Sequence, residues 1–192
     1  MTKFITVPNP ILRKKSKKVN LSAGRHDKVD KEILDLIKEL KKSLIKTQDP
    51  PGVGLSAVQI AKPLRIFVAR KDIKSKPKAF INPEITWRSK ELTKGIPSYS
   101  NGNPTQENKL EGCLSVPGYY GLIKRAKKIK LKYQTIHQSQ ITNHQSLFTG
   151  FLATVIQHEL DHLNGILFID RVLEQGNKLY KMENNELVEA AL

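Results

Sequence analysis

The chain is short of several things, and each shortage narrows what it can be. It has one cysteine, Cys113, so an intrachain disulfide is impossible, in keeping with a reducing compartment. It has no apolar run approaching the ~20 residues that cross a bilayer. Its opening, Met1 to Pro8, lacks the charged start, apolar middle and small-residue cleavage site of a secretory signal. Internal repeats and low-complexity segments are missing too. These absences lead to the expectation of a soluble protein of the cytoplasm with no membrane partner.

Acid is also scarce. Eighteen Asp and Glu stand against 33 Lys and Arg, a formal charge of +15 over 192 residues. Such an excess favours a polyanionic neighbour. Yet the basic stretches at 13–18, 38–46, 71–78 and 124–132 contain no interleaved aromatics for base stacking. A solvated lysine-rich surface is the first reading and a weak electrostatic partner such as a ribosome the second, without a specific nucleic-acid site. Hydrophobic residues make up 39% and charged residues 27%, which suits one globular domain over residues 1–192.

Periodicity predicts a helix from Asp27 to Gln48, with Val29, Ile33, Leu36, Ile37, Leu40 and Leu44 on one side. Asp27 or Asp30 would cap it, and Pro50-Pro51 would end it. Strands are expected at 64–70, at 79–82 with Pro83 a break before 84–87, at 127–133 and at 139–147, turning near His137. The polar, turn-rich stretch at about 88–110 reads as a long hairpin or mobile loop, and about 171–192 as an extension. Within that extension, 179–188 is either a hairpin turning on Asn184-Asn185 or a weak helix. The expected class is α+β, with antiparallel β-sheets packed around a central metal-binding helix.

That helix carries Gln157-His158-Glu159-Leu160-Asp161-His162 behind the apolar run 151–156. His158 and His162 are four apart, so both imidazoles can face one ion. Glu159 projects nearby but is poorly placed as a third ligand, which suits it to act on a bound water. Asn164-Gly165 reads as the helix stop. A His-Glu-x-x-His match also arises by chance on surface helices. Here, however, two histidines and two acids interrupt an apolar segment, where unpaired charge is expensive to bury. A third ligand has to come from elsewhere.

Three stretches, Gly52-Val53-Gly54-Leu55-Ser56-Ala57-Val58-Gln59, Glu111-Gly112-Cys113-Leu114-Ser115 and Gln157-His158-Glu159-Leu160-Asp161-His162-Leu163, resemble the three signature motifs of the peptide deformylases, in the family's order. Pro10-Ile11-Leu12-Arg13 and Ile81-Asn82-Pro83 extend the resemblance over roughly residues 5 to 170. The resemblance implies that Cys113, His158 and His162 are metal ligands, with a fourth position left for water. It implies ferrous iron (Fe2+) in the cell, with zinc (Zn2+), nickel (Ni2+) or cobalt (Co2+) able to replace it. Glu159 would be the general acid/base for attack of the metal-bound water on the formyl carbon of a formylmethionyl nascent polypeptide, releasing formate. Gln59 and the backbone N–H of Leu114 would hold the oxyanion.

The resemblance implies that the peptide lies as an added strand beside Val53 and Gly54, with Leu55 and Gly112 also counted as substrate-binding. Phe151, Thr154 and Val155 are candidates for the methionine pocket, and the same residues equally fit plain core. Asp161 is read as orienting a ligand histidine, and Glu111 as the partner of Arg125. Two features depart from the family. Ser56 stands where alanine is usual, and the stretch from Pro83 to Glu111 is longer than in the compact bacterial form. The competing classes are another His-Glu-x-x-His metallopeptidase or amidase, and a basic nucleic-acid-binding protein with a structural metal. The second needs a fourth tight ligand, and His26, His137 and His144 lack ligand-like spacing.

Overall fold

The computed structural model describes residues 3–21, 31–48, 51–100, 103–138, 140–184 and 186–190, with residues 96–100 and 103–109 described through their backbone. The architecture is α+β, and it is organised by one sheet with core on both faces. That sheet has the order β1 (Gly54–Ser56), β2 (Ile66–Ala69), β3 (Lys78–Arg88), β8 (Lys128–His137), β9 (Gln140–Thr149), every pair antiparallel. The four residues of β2 are all buried, and alternation explains why. Ile66 and Val68 join the cluster built around α1 (Lys31–Lys46), whereas Phe67 and Ala69 join the cluster around α2 (Gly150–Leu163).

Within α1, the buried Ile33, Leu36, Ile37, Leu40 and Leu44 form the stripe that periodicity predicts. The helix is described from Lys31 to Lys46, and the candidate caps Asp27 and Asp30 lie outside the described residues. In α2 a wide band of side chains is buried, as expected for a helix held between the sheet and further structure. Asn164 caps its end and Gly165 follows with φ 76°. There, a Cβ would run into the Arg13 backbone, so glycine is required by both conformation and space.

Pro83 is not a break. β3 runs through it as one strand, and the pairing with β8 slips between Ile81 and Glu84, with Asn82 at φ 50°. The missing proline N–H and the unusual φ are absorbed by a bulge. Asn82 is held there, its amide donating to the Val19 carbonyl and to Gln134 and its oxygen accepting from the Val19 N–H.

The stretch at 88–110 forms a hairpin, β4 (Ile96–Ser100) with β5 (Asn103–Lys109). A second sheet has the order β11 (Glu186–Glu189), β10 (Leu179–Glu183), β7 (Val116–Gly121), β6 (Glu111–Cys113), so the extension ends in a hairpin rather than a helix, with Asn184 at φ 49°. Between α2 and that hairpin lies α3 (Phe168–Glu174), which periodicity does not predict. It spans seven residues, too few for a repeat to emerge. It is anchored by the buried pair Phe168 and Val172, and Asp170 accepts from the Leu167 N–H at 2.7 Å.

An N-terminal arm ties the parts together. The Ile5 N–H donates to the Gln59 carbonyl at 2.8 Å and the Val7 N–H to the Ser115 carbonyl at 2.9 Å. Among the described residues, no helix is long and apolar enough to cross a membrane.

Candidate metal centre and active site

The helical spacing of His158 and His162 stacks their rings edge to face, centroids 4.8 Å apart. Cys113, at the end of β6, meets them across the seam between α2 and the second sheet. Its Sγ lies 3.1 Å from His162 Nε2. One ligand atom from each of Cys113, His158 and His162 falls within 4.8 Å of the others. A thiolate and two ring nitrogens at that spacing are a donor set that fits one divalent cation.

The surroundings fix the rings and the charge. His158 Nδ1–H donates to Glu111 Oε1 at 2.6 Å, which leaves Nε2 to face the sulfur. Glu111 is clamped in turn by Arg125, Nε to Oε2 at 2.8 Å and Nη2 to Oε1 at 2.6 Å. Burial opposes ionisation of Glu111, but the paired guanidinium overrides it and holds the carboxyl well below its ordinary range. Burial also disfavours the charged form of His158, and Glu111 and the thiol outweigh it, raising the imidazole well above 6.5. For Cys113, burial pushes the thiol up while the two imidazoles bring it down to about 5. The site therefore presents a thiolate at neutral pH.

Asp161 touches neither ring. Its carboxylate accepts from Arg125 Nη1 at 2.8 Å and from Arg171 Nη2 at 2.7 Å. It is therefore linked to His158 only through Arg125 and Glu111. The reason is helical: Asp161 is three residues past His158 but one before His162, on the flank that faces Arg125 rather than the sulfur. Among the described residues, His162 Nδ1 is buried with no hydrogen-bond partner.

Glu159 is 3% exposed, and burial raises its carboxyl above the ordinary value. Its Oε2 accepts from the Ser56 hydroxyl at 2.6 Å, while a Cβ placed on Gly54 would overlap its Oε1. Gln59 is buried in the 3-10 turn Ala57–Ile60. Its Oε1 accepts from the Ser56 N–H at 2.8 Å, and its Nε2 donates to Ser115 Oγ at 3.1 Å with Cys113 Sγ at 3.7 Å. The amide is thereby locked with one N–H on Ser115 and the other beside the sulfur.

Comparison with known proteins points one way. The sequence profile described as polypeptide deformylase matches residues 1–178. The peptide deformylase of Pseudothermotoga lettingae is 38% identical over 164 residues, 85% of this chain and 78% of that protein. The chain belongs to the peptide deformylase family. The Afipia carboxidovorans deformylase is 34% identical over 93% of this chain and 95% of its own length. Among solved structures, the Thermotoga maritima deformylase matches with TM-score 0.69 and 32% identity, covering 90% of this chain and 97% of that one. A class I type b deformylase from Acinetobacter baumannii, bound to Met-Ala-Ser, matches with TM-score 0.68 and 28% identity, over 88% and 96%.

In this chain the remaining sequence candidates scatter between the edge of β1 and the core. Gly54 lies on β1, an edge strand of the five-stranded sheet that can accept a further strand. Val53 is partly exposed beside it. Leu55 has a fully buried side chain in the α1 cluster, so any contact with a peptide passes through its backbone. Gly112 packs under Tyr120, and Leu114 sits partly exposed beside Cys113. Val155 belongs to the α2 core cluster with Phe151 against it, and Val155 Cγ1 comes within 2.9 Å of where a Gly54 Cβ would stand. Thr154 is buried, its hydroxyl without a partner among the described residues. Sequence reasoning overlooked Ser115, which holds Gln59, and Arg171, which holds Asp161. Neither contact leaves a spacing signal in the chain.

Proposed function

We propose that the chain removes the N-terminal formyl group from formylmethionyl nascent polypeptides, with Cys113, His158 and His162 holding one divalent metal ion and Glu159 moving the proton. The observation that carries this is the meeting of Cys113 with the helix pair, with the buried Glu159 clamped between two residues of an open strand edge. A metal held there, ferrous iron in the cell or zinc, nickel or cobalt in its place, supplies Lewis-acid charge that acidifies water and polarises the formyl group.

This chain's residues do the rest. Gln59, through the N–H next to the sulfur, and the Leu114 N–H hold the formyl oxygen as charge develops on it. Glu159 takes a proton from the attacking water and hands it to the departing amine nitrogen. The peptide backbone pairs with β1 at Val53, Gly54 and Leu55, with Gly112 across the groove, and the methionine side chain enters beside Phe151, Thr154 and Val155.

Residues 1–192 are read as one catalytic domain that works in the cytoplasm, with the 88–110 hairpin as an insertion and 171–192 as an extension. A ribosome is the proposed electrostatic partner. The exposed Lys128, Lys130 and Lys132 alternate along β8, and Lys130 Nζ lies 5.9 Å over the Trp87 ring, which gives the basic surface an aromatic that the linear sequence hides.

The test is formate release from formyl-Met-Ala-Ser by anaerobically purified protein, beside Glu159→Ala with its metal content measured. Release by the wild type and its loss in a metal-replete variant support the reading. Metal-replete wild type that releases none overturns it.

A further inference from the structure

Ser56 has a fully buried side chain at the end of β1, and its hydroxyl meets Glu159 twice, at 2.6 Å from Oε2 and 3.1 Å from the backbone carbonyl. A hydroxyl has one proton to give. The Glu159 carbonyl already lies in the helical ladder that ends at Leu163, and the side-chain oxygen is the nearer acceptor, at 2.6 Å against 3.1 Å. The proton therefore goes to Oε2.

The other oxygen is confined from the same strand. Gly54 and Ser56 are two apart on β1, so they present the same face. Oε1 occupies the space a side chain on Gly54 would fill. One strand thus grips the carboxylate at both oxygens, with a hydroxyl on one and bare backbone under the other.

We propose that Ser56 is a positioning residue for Glu159, occupying Oε2 so that Oε1 is the oxygen that exchanges protons in the reaction. The inference rests on the general acid/base role given to Glu159 above. During hydrolysis the water oxygen bonds to the formyl carbon and its proton passes to Oε1. The C–N bond then breaks, and the same proton moves from Oε1 to the amine nitrogen, leaving a free amine and formic acid, which gives up the water's second proton to solvent and departs as formate. Ser56 keeps donating to Oε2 throughout, so the carboxyl never has to turn over between the two transfers.

The test uses Ser56→Ala, which deletes the hydroxyl, and Ser56→Thr, which retains it. Two readouts are taken: kcat and KM on formyl-Met-Ala-Ser with metal content matched, and the infrared carboxyl band of Glu159 in metal-free protein labelled with 13C-carboxyl glutamate, assigned with Glu159→Gln. Ser56→Ala is expected to lower kcat about tenfold, the equivalent of about 1.4 kcal/mol of barrier. KM and metal stoichiometry should stay unchanged, the band should shift, and Ser56→Thr should restore both readouts. An unshifted band in Ser56→Ala overturns the proposal. So does an equal loss of kcat in Ser56→Thr, which would make the role one of packing. If the wild type releases no formate, the deformylase reading fails on its own, while the band still decides whether Ser56 grips Oε2.

Discussion

Replacing Arg125 by methionine tests whether the buried ion network sets the metal site. Arg125 is 6% exposed and gives both Glu111 oxygens and one Asp161 oxygen a donor, at 2.6 to 2.8 Å. Methionine keeps most of the volume and leaves Glu111 as a buried carboxylate facing only His158. Breaking a buried pair from one side costs about 3–5 kcal/mol. For a chain of this size each kcal/mol moves Tm by about 2–4 °C, so metal-free Arg125→Met should melt roughly 6–20 °C below the wild type. A second effect follows on the metal. Glu111 orients His158 through Nδ1, and disturbing such a partner typically weakens metal binding about 10–100-fold. Differential scanning calorimetry of the metal-free proteins and competition with a chromophoric chelator read the two effects separately. The double variant Arg125→Met/Glu111→Gln removes the stranded charge and should recover part of the Tm but not the metal affinity. A single variant with wild-type Tm and wild-type affinity would refute the view that this network carries either stability or orientation.

Gly54→Ala should cut kcat by about a hundredfold with metal content intact, because its Cβ overlaps Glu159 Oε1; steady-state kinetics with metal analysis would show it, and a wild-type kcat would remove Gly54 from the grip. Cys113 is lowered from 9.0 to about 5 on folding, so its contribution is complete above 9 and lost as pH falls toward 5. Urea melts of metal-free wild type and Cys113→Ala should accordingly diverge, in favour of the wild type, as pH rises from 5; a constant difference would contradict this. Chelation should abolish formate release and lower Tm, by the equivalent of about 2.7 kcal/mol when the free metal had stood at a hundred times its Kd. Melts before and after dialysis against chelator check it, and full activity in the stripped protein would count against a catalytic metal.

How much was legible in the chain depended on the range of each interaction. The stripe of α1, the β8–β9 hairpin and the i,i+4 histidines are local patterns, and they sit where periodicity places them. The partnership of Glu111 with Arg125 was readable only by resemblance, since nothing in 14 residues of separation announces a buried bidentate pair. Asp161 illustrates the limit: its position on the helix was clear, but which neighbour it faces depended on Arg171 from α3, a helix too short to register. Pro83 failed for another reason. A proline in a strand usually reads as an ending, and only the slipped register and the Asn82 amide, held by Val19 and Gln134, reveal a bulge. The groove candidates divided along the pleat. Alternation along β1 sends Leu55 into the α1 core while Gly54 and Ser56 face Glu159.

The arm at residues 5–7 bears on the order in which the molecule can be completed. Its two anchors, the carbonyls of Gln59 and Ser115, lie in turns that adjoin different sheets and are synthesised at very different times. During vectorial synthesis the Gln59 carbonyl is made early, but the arm lacks its second anchor at Ser115 until more than half the chain has been made. The segment made first is thus among the last to be stitched in. Once there, it acts as a seam holding the Gln59 turn against the Cys113 strand, so a disturbance at Val7 would be felt at the proposed oxyanion donors, Gln59 and Leu114, without touching either of them.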